Sequence, residues 1–453
     1  MYSNYKGMKN DNIVALSTAY GASGVAVIRL SGDSPLDIAE KMFTPQTKIK
    51  VKDFEPYMMY TGEFDCKIFK DYGMCVYFKA PKSYTGEDIV EFHTHGGNAI
   101  VKGVIRRAVE LGARIAERGE FTKRAFLNGK LSLSSAEGLI DMINSETEAE
   151  VKAGYGLYRE KLKKQIDAVQ DGLTYSLAQI DADIDFPEED LEATSRDEVK
   201  NTLVSSLNTL KGMLSTYRTG RTLKSGVKVA IVGKPNAGKS SILNKMLNYD
   251  KAIVSSVAGT TRDIVEGSID EQGVRFNFYD TAGIRETGDE IEGIGVDLAK
   301  KTISGADIVL FIVDGSDADS RDEEIFNLIK DKPHVTVINK ADKAKYKGDL
   351  PVDITVSAKT GENIEELKRL LFTTTFGMNF DLSGDFLTEE RHYNAIKGAT
   401  EKLQTALENI DFNTLDLIAI DIRQAWDLLG EISGKSSTED VIDEIFKKFC
   451  VGK

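Results

Sequence analysis

The stretch "KVAIVGKPNAGKSSILN" (residues 228–244) decides the fold of the central part of this chain. An apolar run leads into a glycine-containing loop and then a helix-like segment, and the loop satisfies G-x-x-x-x-G-K-S through Gly233, Gly238, Lys239 and Ser240. Glycines let such a loop curl so that its backbone N–H groups and the following helix N-terminus face phosphate oxygens. We therefore predict a nucleotide site in which Lys239 reaches the β- and γ-phosphates and Ser240 binds Mg²⁺.

Two further motifs, in the order typical of a GTPase, predict the loops that sense the γ-phosphate. "GTTRD" (259–263) offers Thr261 as a second Mg²⁺ ligand. "DTAG" (280–283) places Asp280 near the metal and the N–H of Gly283 near the γ-phosphate. A nucleotide-free Rossmann-like domain would not need these elements in this order.

The motif "NKAD" (339–342) predicts which base is bound. Asp342 can accept hydrogen bonds from N1–H and the exocyclic amine of guanine, whereas adenine would leave that carboxylate unpaired. "SAK" (357–359) completes the base pocket. The residues that these motifs assign to GTP are Gly233, Asn236, Ala237, Gly238, Lys239, Ser240, Ser241, Thr261, Asp280, Thr281, Ala282, Gly283, Asn339, Lys340, Asp342, Ser357, Ala358 and Lys359.

One expected catalytic residue is missing, because Ile284 follows "DTAG" where Ras-like enzymes carry a water-orienting Gln. The negative charge of the transition state still has to meet a cation. Two solutions are open: an arginine finger from Arg262 or Arg285, or a monovalent cation held by the Asn236 side chain and by oxygens of "SSVAGT" (255–260).

The periodicity of the chain predicts an α/β protein with an all-α part. Short apolar runs alternate with helix-like stretches in residues 1–120, and long helical patterns fill 121–222. Residues 223–378 alternate parallel-type strands and helices, and helical periodicity returns in 379–453. Because the last segment is small for an independent core, we predict that the Ras-like G domain is inserted into one helical bundle domain.

The composition indicates a globular protein. The chain has 453 residues, 41% of them hydrophobic and 29% charged, and no apolar run is long enough to span a bilayer. "MYSNYKGMKN" at the start lacks an apolar signal core, so we expect a cytoplasmic protein without a membrane partner. A net charge of −14 disfavours non-specific nucleic-acid binding, so an RNA partner must meet a local basic patch or a more basic subunit.

The combination of motifs resembles the MnmE (TrmE) family of bacterial tRNA-modifying GTPases. The resemblance rests on "GKPNAGKSSILN", "AGTTRD", "DTAGIRE" followed by "DEIEGIG", and the final "CVGK". In the first half it extends to "GVAVIRLSG", "SYTGEDIVEFHTHGG" and "GEFTKRAFLNGKLSL", so that it covers essentially the whole chain.

The resemblance implies an answer for the missing Gln. It implies K⁺ in place of an arginine finger, with G domains that dimerise in the transition state. It assigns the water-orienting role to Glu292, acting through a bridging water. The residues that the family motif assigns to K⁺ are Asn236, Ser255, Val257 (through its carbonyl) and Thr260, so Ser255 and Thr260 join the predicted nucleotide site.

The resemblance also implies a folate site in residues 1–120, which would act as a formyl-tetrahydrofolate-binding and dimerisation domain. Its motifs assign Arg29, Glu91, Lys130 and Lys453 to a 5-formyl-tetrahydrofolate or a related one-carbon folate. Cations suit the glutamate carboxylates of folate, and a carboxylate suits the N–H groups of the pterin.

Cys450 in "CVGK" lies near an accessible terminus and is a candidate catalytic thiol. The alternative is that Cys450 serves as a small apolar residue that packs the tail against the protein. The three cysteines are too few and too scattered for a disulfide framework. His93 and His95 share one face of a strand, but no third ligand is apparent, so structural roles are the simpler interpretation.

Through the resemblance we expect a homodimer that acts with the flavoprotein MnmG (GidA). Together they would install an aminomethyl-type or carboxymethylaminomethyl group at C5 of the wobble uridine of certain tRNAs. The rival interpretation is a regulatory GTP switch, such as a ribosome-assembly GTPase, which would need neither "CVGK" nor the folate residues.

Overall fold

The computed structural model describes residues 11–185, 192–249, 267–280, 302–343, 345–382 and 384–453. As far as these residues define them, the chain forms two compact units. One spans Met1–Ile143, Gly154–Lys211 and Asn394–Lys453, and the other spans Asn144–Ala153 and Gly212–Tyr393. The domain boundaries at 120, 222 and 378 stay predictions.

The N-terminal part is a seven-stranded sheet with helices. The strands are β1 Ile13–Leu16, β2 Ser23–Gly32, β3 Phe43–Pro45, β4 Met59–Asp65, β5 Lys70–Phe78, β6 Asp88–Gly96 and β7 Arg114–Ile115, in the order β3-β4-β5-β6-β2-β1-β7. The helices are α1 Pro35–Glu40, α2 Asn98–Glu110 and α3 Glu120–Leu127. Strand β4 alternates exposed and buried residues, because one face of the sheet packs on a core that includes Phe64, Phe92 and Val104.

The first helical segment contains α4 Leu133–Asn144, α5 Glu148–Tyr158, α6 Lys161–Asp185, α7 Glu192–Ser215 and α8 Tyr217–Ser225. Helix α6 carries an apolar stripe whose residues recur at spacings of three and four. The stripe is buried at Ile166, Val169, Leu173 and Ile180, so it belongs to the core of the helical bundle. The stripe ends at Ile184, whose side chain is 52% exposed.

The central part is a six-stranded sheet in the order β13-β12-β11-β8-β10-β9. Its strands are β8 Val227–Val232, β9 Gly267–Glu271, β10 Val274–Asp280, β11 Ile308–Asp314, β12 His334–Asn339 and β13 Ile354–Thr355, and its helices are α9 Lys239–Tyr249, α10 Ser320–Ile329 and α11 Ile364–Phe376. All the strand pairs are parallel except β9–β10. Apolar clusters cover both faces, and every residue of β11 is buried, as the continuous apolar runs predicted.

The chain then returns to helices α12 Glu390–Asn409, α13 Leu415–Ser433 and α14 Glu439–Lys447. Helix α13 packs on α6, where Gln170 donates to the carbonyl of Trp426 at 2.9 Å. In the same unit Lys211 of α7 donates to Gln404 of α12 at 3.1 Å. The predicted fold class, a G domain inserted between two parts of a helical domain, is confirmed. None of the helices among the described residues has the length and apolarity to cross a membrane.

Candidate functional site

The predicted nucleotide motifs meet at one edge of the central sheet. The parallel strands β8, β10, β11 and β12 end there at Val232, Asp280, Asp314 and Asn339. Ile231 is in register with Asp280, and Asp314 is in register with Asn339. Ligands of open α/β sheets bind at this edge, outside the carboxyl ends of the strands.

Two glycines allow the phosphate loop to take its course. Gly233 has φ +152°, and a Cβ placed on it would lie 2.2 Å from the carbonyl oxygen of Ile312. Gly238 has φ +94°, and its Cβ would lie 2.2 Å from Nδ2 of Asn339. A side chain at either position is therefore excluded by backbone conformation and by space. Between them Asn236, at φ +64°, lies exposed at the turn of the loop.

The first turn of α9 carries the cation and hydroxyl that the motif predicts. Lys239 is buried, and its Nζ donates to the carbonyls of Gly233 at 2.9 Å and Lys234 at 3.0 Å. Ser240 and Ser241 are exposed. The hydroxyl of Ser240 at a helix start beside the loop fits a ligand of Mg²⁺, which prefers oxygen donors.

Asn339 joins three loops of the predicted base and phosphate pocket. Its side chain is 2% exposed, its Nδ2 donates to the carbonyl of Ala237 at 2.9 Å, and its Oδ1 accepts from the N–H of Ala358 at 3.2 Å. The "NKAD" and "SAK" motifs are thereby tied to the phosphate loop. This side chain therefore holds the loops together rather than reaching outwards.

The carboxylate predicted to read guanine is held by the second base motif. The Ser357 hydroxyl, fully buried, donates to Oδ1 of Asp342 at 2.8 Å, and Nζ of Lys359 lies 3.9 Å from its Oδ2. Ser357 thus fixes the orientation of Asp342.

Sequence reasoning missed Asp314, at the end of β11 in "FIVDG". Lys340 ion-pairs with Asp314 and donates to the carbonyl of Asn236 at 2.9 Å. Burial would raise the pKa of the Asp314 carboxyl, but hydrogen bonds from Lys340 and Ser316 outweigh it and hold that pKa below its usual range. The available signal was an acidic residue at the carboxyl end of a continuous apolar run, "DIVLFIVDG".

Lys234, inside the phosphate loop, was also missed. Its buried Nζ donates to the carbonyl of Asp317 at 2.6 Å and lies 3.1 Å from Asp319 and 2.9 Å from Asp322. Burial alone would lower the pKa of Lys234, but the bonds to these carboxylates give a net upward shift. Asp319 and Asp322 also form the capping box of α10, so the loop is anchored to that helix start.

Several predicted residues lie outside the described residues. They are Ser255, Val257, Thr260, Thr261, Arg262, Thr281, Ala282, Gly283, Arg285 and Glu292.

A second candidate site lies on the N-terminal sheet, around Arg29 and Glu91. These residues are register partners on β2 and β6, and Nε of Arg29 donates to Oε1 of Glu91 at 2.8 Å. The guanidinium carbon of Arg29 lies 5.0 Å from the ring centroid of Tyr84 and 5.7 Å from that of Phe121. These cation–π contacts orient Arg29, and the two aromatic residues were not found from sequence.

The half-buried carboxyl of Glu91 also faces His93. Its Oε2 lies 3.6 Å from Nε2 of His93, which is longer than a hydrogen bond. Burial would raise the pKa of the Glu91 carboxyl, but His93 and Arg29 together lower it below its ordinary value. The pair thus offers a hydrogen-bond acceptor, the Glu91 carboxylate, beside a donor, the Arg29 guanidinium.

The other predicted folate residues lie at the borders of this domain. Nζ of Lys130 donates to the carbonyl of Pro81 at 3.0 Å. Lys453 follows Gly452, whose carbonyl accepts from the Ser17 hydroxyl at 3.1 Å. Ser17 comes directly after β1, which pairs with the strand of Arg29. The structure pairs Arg29 with Glu91 directly, and within the part of the chain that it describes no contact joins Lys130 or Lys453 to them.

Cys450 is an exposed thiol on a docked tail. Its carbonyl accepts from the N–H of Gly119 at 3.4 Å, and Val451 pairs with Arg118. Phe449 and Phe446 are buried beside it. The tail is therefore anchored by its backbone and its phenylalanines, which leaves the thiol free of a packing role.

The two strand histidines interact with acidic residues. Nδ1 of His95 lies 2.6 Å from Asp71, and His93 faces Glu91. Within the described residues, no group of three or more His, Cys, Asp or Glu side chains could hold a metal ion.

Residues 12–130 match the family described as "GTP-binding protein TrmE N-terminus", and residues 133–450 match "MnmE helical domain". The tRNA modification GTPase MnmE of Aquifex aeolicus (strain VF5) is 40% identical over 451 residues, 97% of this chain and 99% of that protein. The proteins of the same name from Caldicellulosiruptor saccharolyticus and Acetivibrio thermocellus are 37% and 38% identical, and each alignment covers 98% of this chain and 100% of the relative.

The fold and the site on the central sheet define a P-loop GTPase, an enzyme that hydrolyses GTP. The chain belongs to the MnmE (TrmE) family of tRNA modification GTPases. The resemblance that the sequence motifs indicated is thereby confirmed.

Proposed function

We propose that the chain is a K⁺-stimulated GTPase that acts on tRNA with the flavoprotein MnmG (GidA). The pair would modify C5 of the wobble uridine of certain tRNAs with an aminomethyl or carboxymethylaminomethyl group, using a tetrahydrofolate one-carbon unit. The observation that carries the proposal is that likeness to MnmE proteins extends over 97% of the chain, so it takes in the N-terminal sheet besides the GTP site.

In the GTP site, each residue has a separate role. Lys239 would neutralise the β- and γ-phosphates, and Asp342 would select guanine. Ser240 and Thr261 would hold Mg²⁺. Glu292 would orient the attacking water through a bridging water, in place of the missing Gln. When bound, K⁺ would supply the positive charge that an arginine finger supplies elsewhere.

The geometry of Asn236 supports a K⁺ ligand. Its backbone carbonyl already accepts from Lys340, whereas its side chain lies exposed at the turn of the loop. The fixed backbone and exposed amide oxygen fit a hard cation. With it, Ser255, Val257 and Thr260 would complete the set, closed when the G domains of a homodimer meet.

The pair Arg29–Glu91 supports the folate site. Glu91, held anionic, would accept from the N–H groups of the pterin, while Lys130 and Lys453 would meet the glutamate carboxylates of 5-formyl-tetrahydrofolate. Cys450, exposed on the docked tail, is a candidate nucleophile of the modification step.

Folate binding to the full-length chain separates this proposal from a regulatory GTP switch. We expect the chain to bind 5-formyl-tetrahydrofolate in equilibrium dialysis, and Arg29→Met to weaken binding at least about tenfold, since a charge-assisted hydrogen bond contributes about 1.5–3 kcal/mol. Lys70→Met is the matched control, because Lys70 lies on the same sheet and its side chain is 62% exposed. No folate binding by a folded chain that still hydrolyses GTP would favour the switch.

A further inference from the structure

The hairpin β9–β10 lies in sequence between the two motifs predicted to sense the γ-phosphate. "GTTRD" (259–263) precedes β9, and Asp280 of "DTAG" is the last residue of β10. Its turn is Gln272–Gly273, with φ +53° and +79°, and Gly273 donates its N–H to Asp270 at 2.8 Å. Two residues at positive φ form a tight turn that matches the twist of the strands. The hairpin is therefore a stiff element attached at both ends to nucleotide-sensing segments.

The turn of this hairpin binds a segment that the helical part of the chain supplies. Residues 144–153, which run from the last residue of α4 into the first half of α5, pack with the G domain, although the chain on either side of them belongs to the other unit. The N–H of Ala149 donates to the carbonyl of Gly273 at 3.1 Å. Ala149 is 2% exposed and shares the apolar cluster of Val274 and Phe276. Ala149 thus attaches the segment to the G-domain core.

Arg275, the second residue of β10, adds ion pairs to the contact between the hairpin and residues 144–153. Its guanidinium donates to Glu146 through Nη1, and its Nη2 lies 3.0 Å from Oε1 of Glu150. Glu150 is 7% exposed, and its Oε2 accepts from the N–H of Glu146 at 2.7 Å. One cation therefore holds two carboxylates of the segment, and without it Glu150 would be a nearly buried charge with no cationic partner from β10.

The two helices that share residues with this segment, α4 and α5, approach each other closely. A Cβ on Gly138 of α4 would lie 2.6 Å from the carbonyl oxygen of Gly154 and 2.5 Å from the N–H nitrogen of Tyr158, both on α5. Backbones this close cannot slide past one another without steric conflict. A displacement of residues 144–153 would therefore move α4 and α5 as a pair.

We propose that the β9–β10 hairpin transmits the nucleotide state of the GTP site to residues 144–153, with Arg275 as the positioning residue of the contact. The inference rests on the proposed function and adds to it a route by which GTP hydrolysis reaches the helical part. Contacts to the γ-phosphate exist only in the GTP state, and a ligand shifts a conformational equilibrium by such differential contacts.

Amide hydrogen exchange on the full-length chain tests the proposal. The chain is compared with GDP and with GDP plus aluminium fluoride, a γ-phosphate mimic, in K⁺ and Mg²⁺. We expect the exchange rates of residues 144–153 to differ at least about threefold between the two states. Arg275→Met should abolish that difference, whereas Arg369→Met, which removes an exposed G-domain ion pair at 3.8 Å, should keep it.

Protection of residues 233–241 shows in each variant that nucleotide is bound and that the G domain is folded. Glu146→Gln provides a milder second variant and should reduce the difference in the same direction. Equal exchange of 144–153 in both nucleotide states, or a difference that survives in Arg275→Met, would contradict the inference. A chain that shows the coupling but fails to modify tRNA would contradict only the proposed function.

Discussion

The buried side chain of Asn339, in the guanine-specificity motif "NKAD", connects the loops of the GTP site to one another. Its amide uses one donor and its acceptor to hold Ala237 and Ala358. Gly238 is needed beside it, because a Cβ there would lie 2.2 Å from the same amide. Gly238 and Asn339 therefore pack directly against each other, and a substitution at either position disturbs the other.

We predict that Asn339→Ala loosens the phosphate and base loops together. It leaves a carbonyl and an N–H unpaired in a buried place, which costs about 2–4 kcal/mol, so GTP should bind at least about tenfold more weakly. Calorimetric titration with GTP and thermal unfolding measure both effects. Asn327→Ala is the control, because Asn327 is exposed on α10 of the same unit. Unchanged GTP affinity would show that the loops hold without this amide.

The lowered pKa of Glu91 predicts that the free energy of unfolding depends on pH. Its pKa lies below the ordinary 4.5, so it stabilises the folded state at pH values above about 4.5, and this contribution is lost as the pH falls through the lowered value. We expect the difference in free energy of unfolding between the native chain and Glu91→Gln to be largest above about pH 5 and to shrink below about pH 4.5. Urea denaturation at several pH values measures it. A difference that grows on acidification would contradict the sign of the shift.

The C-terminal tail depends on one glycine for its docking. Gly452 has φ +99°, and a Cβ on it would lie 1.9 Å from the carbonyl oxygen of Leu16, the last residue of β1. The close approach places Lys453 beside the N-terminal sheet and orders the chain around Cys450. The tail thus acts as an extra segment of the N-terminal fold rather than as a loose end.

We predict that Gly452→Ala releases this tail. The steric conflict adds to a backbone strain of about 1–3 kcal/mol, so carboxypeptidase should remove Lys453 at least about fivefold faster and folate affinity should fall. Gly112→Ala is a matched control, because its φ is +111° but nothing lies within 4 Å of its Cβ. Equal sensitivity of the two variants to the protease would show that backbone strain, not docking against Leu16, is what matters.

At the level of the assembled protein, GTP turnover should depend on K⁺ and on association of two copies. We expect turnover to fall at least about tenfold when Na⁺ replaces K⁺, because the transition state loses its cation. Asn236→Ala should turn over slowly in both salts, and Asn244→Ala, an exposed residue of α9 outside the loop, should behave like the native chain. Equal native rates in Na⁺ and K⁺ would remove the ion from the mechanism.

Turnover per molecule should also rise with protein concentration until dimers saturate, because the K⁺ loop is proposed to close between facing G domains. Steady-state rates across a range of chain concentrations in K⁺ measure this. A rate per molecule that stays constant while light scattering reports a monomer would contradict it.

The fold class and the GTPase motifs could be predicted because they depend on local pattern. Apolar runs of parallel strands, glycines at fixed spacing and "NKAD" carry their physical reason within a few residues. Helix α6 is another example of a local pattern, because its apolar residues recur every three or four positions and the stripe they form is largely buried. The folate residues could be named only through the family resemblance, because Arg29 and Glu91 separately look like surface charges.

The sequence by itself determined what the central domain binds, since the donors and acceptors for phosphate and guanine lie in contiguous motifs. Only the tertiary structure decided what holds those motifs, which is Lys340 on Asp314 and Lys234 on the start of α10. It also decided how two other segments are held, by Arg275 on Glu146 and by Gly452 against Leu16. These partners are between 26 and 436 residues apart along the chain. No local pattern encodes such pairs, because it is the packing of whole elements that brings them within hydrogen-bond distance.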